Sequence, residues 1–102
     1  MVKTKIGTCY QAAMRAAYQD LVDTFGQPAK GDGYKTEAEW IIRFQDDRIA
    51  TIYNYKTSRS WDEHYPDVKE VTVWHIGGHK SEVVDRVLRM LGDRATLTDR
   101  AR

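Results

Sequence analysis

Residues 37–56 read E-A-E-W-I-I-R-F-Q-D-D-R-I-A-T-I-Y-N-Y-K, and the pattern of this stretch indicates a sheet. Large apolar residues alternate with other residues in its first half: Trp40, Ile42 and Phe44. Alternation of this kind is typical of a half-buried strand, so we predict one strand over residues 37–45 and another over residues 48–56. Asp46 and Asp47 then form a two-residue turn, and the two strands make an antiparallel hairpin.

This turn also predicts which side chains share a face of the sheet. It gives three cross-strand pairs: Phe44–Ile49, Ile42–Thr51 and Trp40–Tyr53. The opposite face is expected to mix apolar and polar side chains, so that it is neither clearly solvent-exposed nor clearly buried. Its residues are Ile41, Arg43, Ala50, Ile52 and Asn54. A binding partner could cover such a face.

Before the hairpin, we predict a helix over residues 8–25. Thr8 and Gln11 match a capping box, and apolar residues recur every three or four positions. Gly26 suits a left-handed helix stop, and Pro28 prevents continuation. The following residues, 27–36, are predicted to form a loop.

After the hairpin, we predict a third strand over residues 68–76 and a second helix over residues 81–91, capped by Ser81 and ended by Gly92. The order α-β-β-β-α indicates an α+β fold, with a three-stranded antiparallel meander and two helices packed on one face. Residues 1–92 are expected to form a single domain. Residues 93–102 lack a sustained apolar stripe and are expected to be a flexible tail.

Composition narrows the classes of function. The chain has 102 residues, so one domain is expected. Its formal net charge is only +1, so broad nucleic-acid binding is not expected. The single cysteine, Cys9, excludes an internal disulfide and a multi-cysteine zinc site. No stretch reaches the roughly 18 apolar residues of a membrane span, so we expect a cytoplasmic protein without membrane contact. Two open sheet edges favour a homo-oligomer.

The first candidate site is the stretch W-H-I-G-G-H-K-S, residues 74–81. A predicted helix start presents backbone N–H groups at a partial positive charge, and glycines allow an anion to approach them. The predicted phosphate-binding residues are Gly77, Gly78, His79, Lys80 and Ser81. The alternative is a plain structural turn, because the spacing matches neither a P-loop nor a dinucleotide fingerprint.

The second candidate feature is a group of ring and cationic side chains in the central half of the chain. It comprises Tyr34, Lys35, Tyr53, Tyr55 and Trp61. Aromatic rings beside cations hold nucleobases, but the same composition marks protein–protein hot spots, and tyrosines also simply pack sheets. His64, His75 and His79 form no catalytic or metal motif. We therefore predict a binding protein, not an enzyme, with no cofactor and no metal.

Three strings together, G-D-G-Y-K-T-E-A-E-W, A-T-I-Y-N-Y-K and W-H-I-G-G, resemble a family of small accessory proteins encoded by bacteriophages. The resemblance covers roughly residues 21–91. The chain departs from the family where a glycine commonly closes the first hairpin, because Arg48 here follows Asp46 and Asp47.

The resemblance implies a phage protein that acts in the host cytoplasm by binding, plausibly against host defence. One hypothesis is the sequestration of a phosphate-containing, nucleotide-type signalling molecule. The alternative is a protein–protein inhibitor of a host defence complex, such as a CRISPR or other nuclease effector.

Overall fold

The structure is a computed structural model that describes residues 9–30, 38–54 and 67–101. Its strands are β1 (Cys9–Ala16), β2 (Ala29–Lys30), β3 (Ala38–Arg43), β4 (Ile49–Tyr53), β5 (Val73–Gly78) and β6 (Ala95–Arg100). Its helices are α1 (Tyr18–Phe25) and α2 (Glu82–Leu91), with short 3-10 turns at Val68–Glu70 and Gly92–Arg94. The strands form one antiparallel sheet in the order β2-β3-β4-β5-β1-β6.

The α+β class predicted from the sequence is confirmed, but the predicted sheet is too narrow. The expected meander is present as β3-β4-β5, and β1 and β6 extend the sheet beyond it. The third strand also differs in its bounds, because Val68–Glu70 forms a 3-10 turn and β5 continues to Gly78. Helix α2 and its stop at Gly92, where φ is 61°, match the prediction.

The first half of the predicted helix over residues 8–25 is wrong, because Cys9–Ala16 is a strand. Ala12, Met14 and Ala16 are buried, so the segment has a two-residue period that coexists with the helical one. Two neighbouring strands supply its backbone hydrogen bonds, and this tertiary context overrides the helix propensity of alanine and methionine. Only Tyr18–Phe25 is helical, and it ends at Gly26 as predicted.

The C-terminal segment also differs from expectation. Residues 93–102 were expected to be a flexible tail, but Ala95–Arg100 pairs with β1 as strand β6. The N–H of Ala101 donates to the Gln11 carbonyl oxygen at 2.7 Å, and Arg100 forms an ion pair with Asp85 of α2 at 3.2 Å. The backbone groups of β1 on this side need partners, and β6 provides them.

The hairpin register is shifted from the predicted one. The N–H of Phe44 donates to the Arg48 carbonyl oxygen at 2.8 Å, so three residues form the loop instead of two. Asp47 occupies the left-handed region with φ 68°, as expected for the last residue of a three-residue hairpin loop. Trp40 consequently pairs with Ile52, whereas Tyr53 pairs with Glu39 on the opposite face.

The hairpin tip is fastened to α2 by an ion pair. Two guanidinium nitrogens of Arg86 donate to the two carboxylate oxygens of Asp46 at 2.8 and 2.7 Å. Arg86 also lies over the Phe44 ring, 5.1 Å from its centroid. The hydrogen bonds from Arg86 lower the pKa of Asp46 to about 2.

Both helices pack on one face of the sheet. The core there is built around the indole rings of Trp40 and Trp74, whose centroids lie 5.4 Å apart. Each indole N–H has a backbone partner, because Trp40 donates to Gly26 at 2.7 Å and Trp74 donates to Ala16 at 3.0 Å. Neither described helix is long and apolar enough to cross a membrane. We call the other side of the sheet, which carries Tyr53 and His75, the helix-free face.

The loop geometry leads to a prediction for Asp47. Asp47→Gly and Asp47→Ala both remove the carboxylate and its 3.4 Å contact with Arg43. We expect the glycine variant to be more stable than the alanine variant by about 1 kcal/mol, because only alanine is strained at positive φ. Urea unfolding of both variants measures the difference. Equal stabilities would contradict the three-residue loop.

Candidate functional site

The helix-free face carries one row of side chains across five strands. Pairing aligns them in the order Glu39, Tyr53, His75, Ala13 and Asp99. The row has a carboxylate at each end, aromatic rings in the middle and a small alanine beside them. Neither α1 nor α2 covers this row, because both pack on the opposite side of the sheet.

Three rings form an aromatic cluster on this face: Tyr10, Tyr53 and His75. The His75 ring meets Tyr10 at 5.1 Å between centroids and Tyr53 at 5.5 Å, both in edge-to-face geometry. Edge-to-face contacts of this kind are favourable beyond the area that they bury. All three side chains are partly exposed, so the cluster has an outer surface that a partner can reach.

A hydrogen bond ties the aromatic cluster to the C-terminal strand. The Tyr10 hydroxyl donates to the Asp99 carboxylate with a distance of 2.5 Å between oxygens. Burial, this hydrogen bond and the Asp99 charge raise the pKa of Tyr10 to about 12. Tyr10 therefore keeps its proton throughout the physiological range.

The surroundings of His75 disfavour its charged form. Burial lowers the pKa of His75 below its ordinary value, and the nearby Asp99 charge opposes part of that effect. A neutral imidazole has one N–H donor and one acceptor nitrogen, so the cluster presents polar atoms as well as ring surface.

The predicted glycine pair lies inside the sheet and not in a loop. Gly77 and Gly78 are buried in β5 and pair with β1 on one side and β4 on the other. A Cβ on Gly77 would lie 2.5 Å from Thr51 Oγ1, and one on Gly78 would lie 2.6 Å from Val83 Cγ2. These glycines therefore allow close packing, and their backbone belongs to the strand ladder. Their predicted contact with phosphate stays a prediction.

The rest of the predicted phosphate site lies at the connection between β5 and α2. His79, Lys80 and Ser81 are exposed there, and the Ser81 side chain forms no capping hydrogen bond. The first turn of α2 carries two carboxylates, Glu82 and Asp85, which already complement the helix dipole. Phosphate binding by this connection remains a prediction.

The structure separates the predicted ligand residues into groups. Tyr53 belongs to the aromatic cluster on the helix-free face, whereas Gly78 packs against α2 on the other side of the sheet. Four of the ten predicted ligand residues lie outside the described residues: Tyr34, Lys35, Tyr55 and Trp61. Their predicted roles stay predictions.

A separate cavity of about 240 Å³ lies beside α1. It is lined by Tyr18, Gln19, Val22, Gln27 and Lys69. None of the residues that the sequence indicated as ligand-binding lines this cavity. In the described ranges, no group of three histidine, cysteine or acidic residues is placed to hold a metal ion.

Three members of the site are not among the predicted ligand residues: Tyr10, His75 and Asp99. Tyr10 was assigned to a helix, and Asp99 to a flexible tail. The available signals were the alternation of Ala12, Met14 and Ala16 and the β-favouring threonines around Leu97.

Comparisons with protein-family models, curated proteins and solved structures find no match to this chain.

The packing role of Gly78 is testable. We expect Gly78→Ala to lower the free energy of unfolding by about 1–3 kcal/mol, because the new methyl group overpacks against Val83 and the Ile49 carbonyl oxygen, 3.0 Å away. Chemical unfolding measures this loss, with His79→Ala at the neighbouring exposed position as the control. In a Val83→Ala background, the additional loss caused by Gly78→Ala should be smaller, because the clashing methyl group of Val83 is gone. A stable Gly78→Ala variant would refute the packing role.

The charge of Asp99 links the protonation of Tyr10 and His75. In Asp99→Asn we expect the pKa of His75 to fall further, because the carboxylate that favours imidazolium is gone. The pKa of Tyr10 should fall from about 12 towards its ordinary value, because tyrosinate no longer faces a negative charge. NMR titration of both rings measures these changes. Unchanged values for both residues would show that Asp99 lies away from the cluster.

Proposed function

We propose that this protein is a binding protein and that its helix-free face recognises another protein. The observation that carries the proposal is the partly exposed aromatic cluster on a sheet face that neither described helix covers. Tyrosine offers a large rigid surface and one polar atom, which is why it is enriched where proteins bind each other.

The surroundings of the cluster support a protein partner. Arg15 and Arg43 are exposed and lie on the same face by register, and Asp99 is exposed at the end of the central row. An aromatic centre with charged residues around it has the general organisation of a protein interface. The sheet surface also extends across several strands, which suits a broad partner better than a small enclosed ligand.

The resemblance to phage accessory proteins supports a biological setting for this proposal. In that setting, the protein acts without catalysis in the host cytoplasm and inhibits a defence complex, such as a nuclease effector. Self-association belongs to the same proposal, since β6 lies at the sheet edge and its Leu97 is 37 % exposed.

A second candidate is the capture of a phosphate-containing nucleotide. It is favoured by exposed Lys80 beside the Ser81 hydroxyl, which is not used as a helix cap. The carboxylates near this connection are already paired: Glu82 with Arg48 at 2.5 Å and Asp85 with Arg100 at 3.2 Å. Lys80 is therefore the cation that this connection offers to a ligand. One exposed lysine supplies less recognition than the aromatic cluster, so the protein partner is the preferred proposal.

Two variants distinguish these functions. Tyr53→Ala removes a ring of the aromatic cluster, and Lys80→Ala removes the exposed cation, so each serves as the control for the other. We expect Tyr53→Ala to weaken binding of a host protein by roughly 30-fold, the size of an interface hot spot, and Lys80→Ala to leave it unchanged. Capture from host lysate identifies the partner, and calorimetry with the purified partner then measures the affinities.

The reverse pattern supports nucleotide capture instead. In that case nucleotides raise the melting temperature of the wild type and of Tyr53→Ala but not of Lys80→Ala. Circular dichroism of both variants confirms that the fold is retained. Full partner binding by a folded Tyr53→Ala variant would contradict the proposed role of the helix-free face.

A further inference from the structure

Asp99 gives the aromatic cluster a chemical preference. Its carboxylate is exposed and accepts the Tyr10 hydroxyl through one oxygen, Oδ2. A carboxylate has two oxygens and accepts several hydrogen bonds, so this single contact leaves acceptor capacity at the edge of the cluster. The surface thus combines ring faces with a negative charge.

Among the described residues, the cations of the same face form no ion pair with Asp99, although Arg15 lies two residues along β1 from Ala13, the strand partner of Asp99. Arg15 pairs with Val73, two residues along β5 from His75. Arg43 lies at the far end of β3, where it contacts Asp47 at 3.4 Å. His75 adds no charge when it is neutral. Because no described cation pairs with Asp99, its carboxylate is available to a cation of a partner.

We infer that the helix-free face binds the guanidinium of an arginine side chain of its partner. The guanidinium lies against the Tyr10 ring, and its N–H groups donate to Asp99. This inference rests on the proposed function, because it names the chemistry of the partner at the same site. It adds a partner residue type and a recognition role for Asp99 that the aromatic cluster alone does not specify.

Among the charged groups of proteins, guanidinium fits the Tyr10 ring and the Asp99 carboxylate best. It is planar, stacks on aromatic rings and donates two parallel hydrogen bonds to one carboxylate. A lysine ammonium is a compact and strongly hydrated charge that stacks poorly. A carboxylate or phosphate would face Asp99 and be repelled.

The test uses N-acetyl-arginine amide as a probe of the intact protein, followed by NMR. Its control is N-acetyl-citrulline amide, which has nearly the same shape but no charge. We expect the arginine probe to shift the Tyr10 and His75 ring signals saturably and to bind at least about fivefold tighter than the citrulline probe. In Asp99→Asn this preference should disappear, while Lys80→Ala should retain it.

Equal binding of the two probes, shifts confined to other residues, or an undiminished preference in Asp99→Asn would overturn the inference. Asparagine still accepts the Tyr10 hydroxyl, so this variant removes charge and keeps the shape of the site. If partner capture depends on Tyr53 but Asp99→Asn changes neither capture nor probe preference, the proposed function stands and the arginine inference fails. If the probes behave as expected but no partner depends on Tyr53, the proposed function fails instead.

Discussion

The pairing of β1 with both β5 and β6 is the constraint on which the rest of the described structure depends. Cys9–Ala16 lies between these two strands, and its backbone is hydrogen-bonded on both sides. Its small side chains Ala12 and Ala16 lie in the core with Met14, under the helices and beside Trp74. Larger residues at the alanine positions would push the helices away from the sheet.

The same pairing assembles the helix-free face. Strand β1 contributes Tyr10 to this face, β5 contributes His75 and β6 contributes Asp99. Tyr10 and Asp99 meet there although they lie 89 positions apart in the chain. Moving β1 by one residue would turn Tyr10 towards the core and Met14 away from it. Core packing therefore also determines which polar side chains meet on the opposite surface.

The sequence predicts best those elements whose pattern has a single interpretation. Helix α2, with its apolar stripe and Gly92, and the alternating strands β3 and β4 are examples. Residues 9–16 satisfy both the helical and the strand period, so only the neighbouring strands decide between them. The three-residue loop needs a positive φ at its last residue, where glycine is usual, but this chain has Asp47 there. The sequence therefore indicates a two-residue turn, and the expected cross-strand pairs are shifted by one residue.

The candidate site was harder to predict because it depends on that long-range pairing. Tyr53 is one of the predicted site residues, whereas His75 was considered only for a catalytic or metal motif. Tyr10 and Asp99 could not be joined to them without knowing that β1 and β6 belong to the sheet. The glycine pair is predicted to connect the third strand to the second helix. The strand instead continues through both glycines, and the reason for glycine there lies in Thr51 and Val83 on other elements.

Residues 9–16 form a strand that brings Tyr10 to His75. Nuclear Overhauser spectroscopy of the full chain tests it directly. The structure predicts cross-strand contacts of β1 with β5 and β6, together with contacts between the Tyr10 and His75 rings, whose centroids lie 5.1 Å apart. Contacts between residues three positions apart throughout 9–16, without any between these rings, would indicate a helix and rule out strand β1.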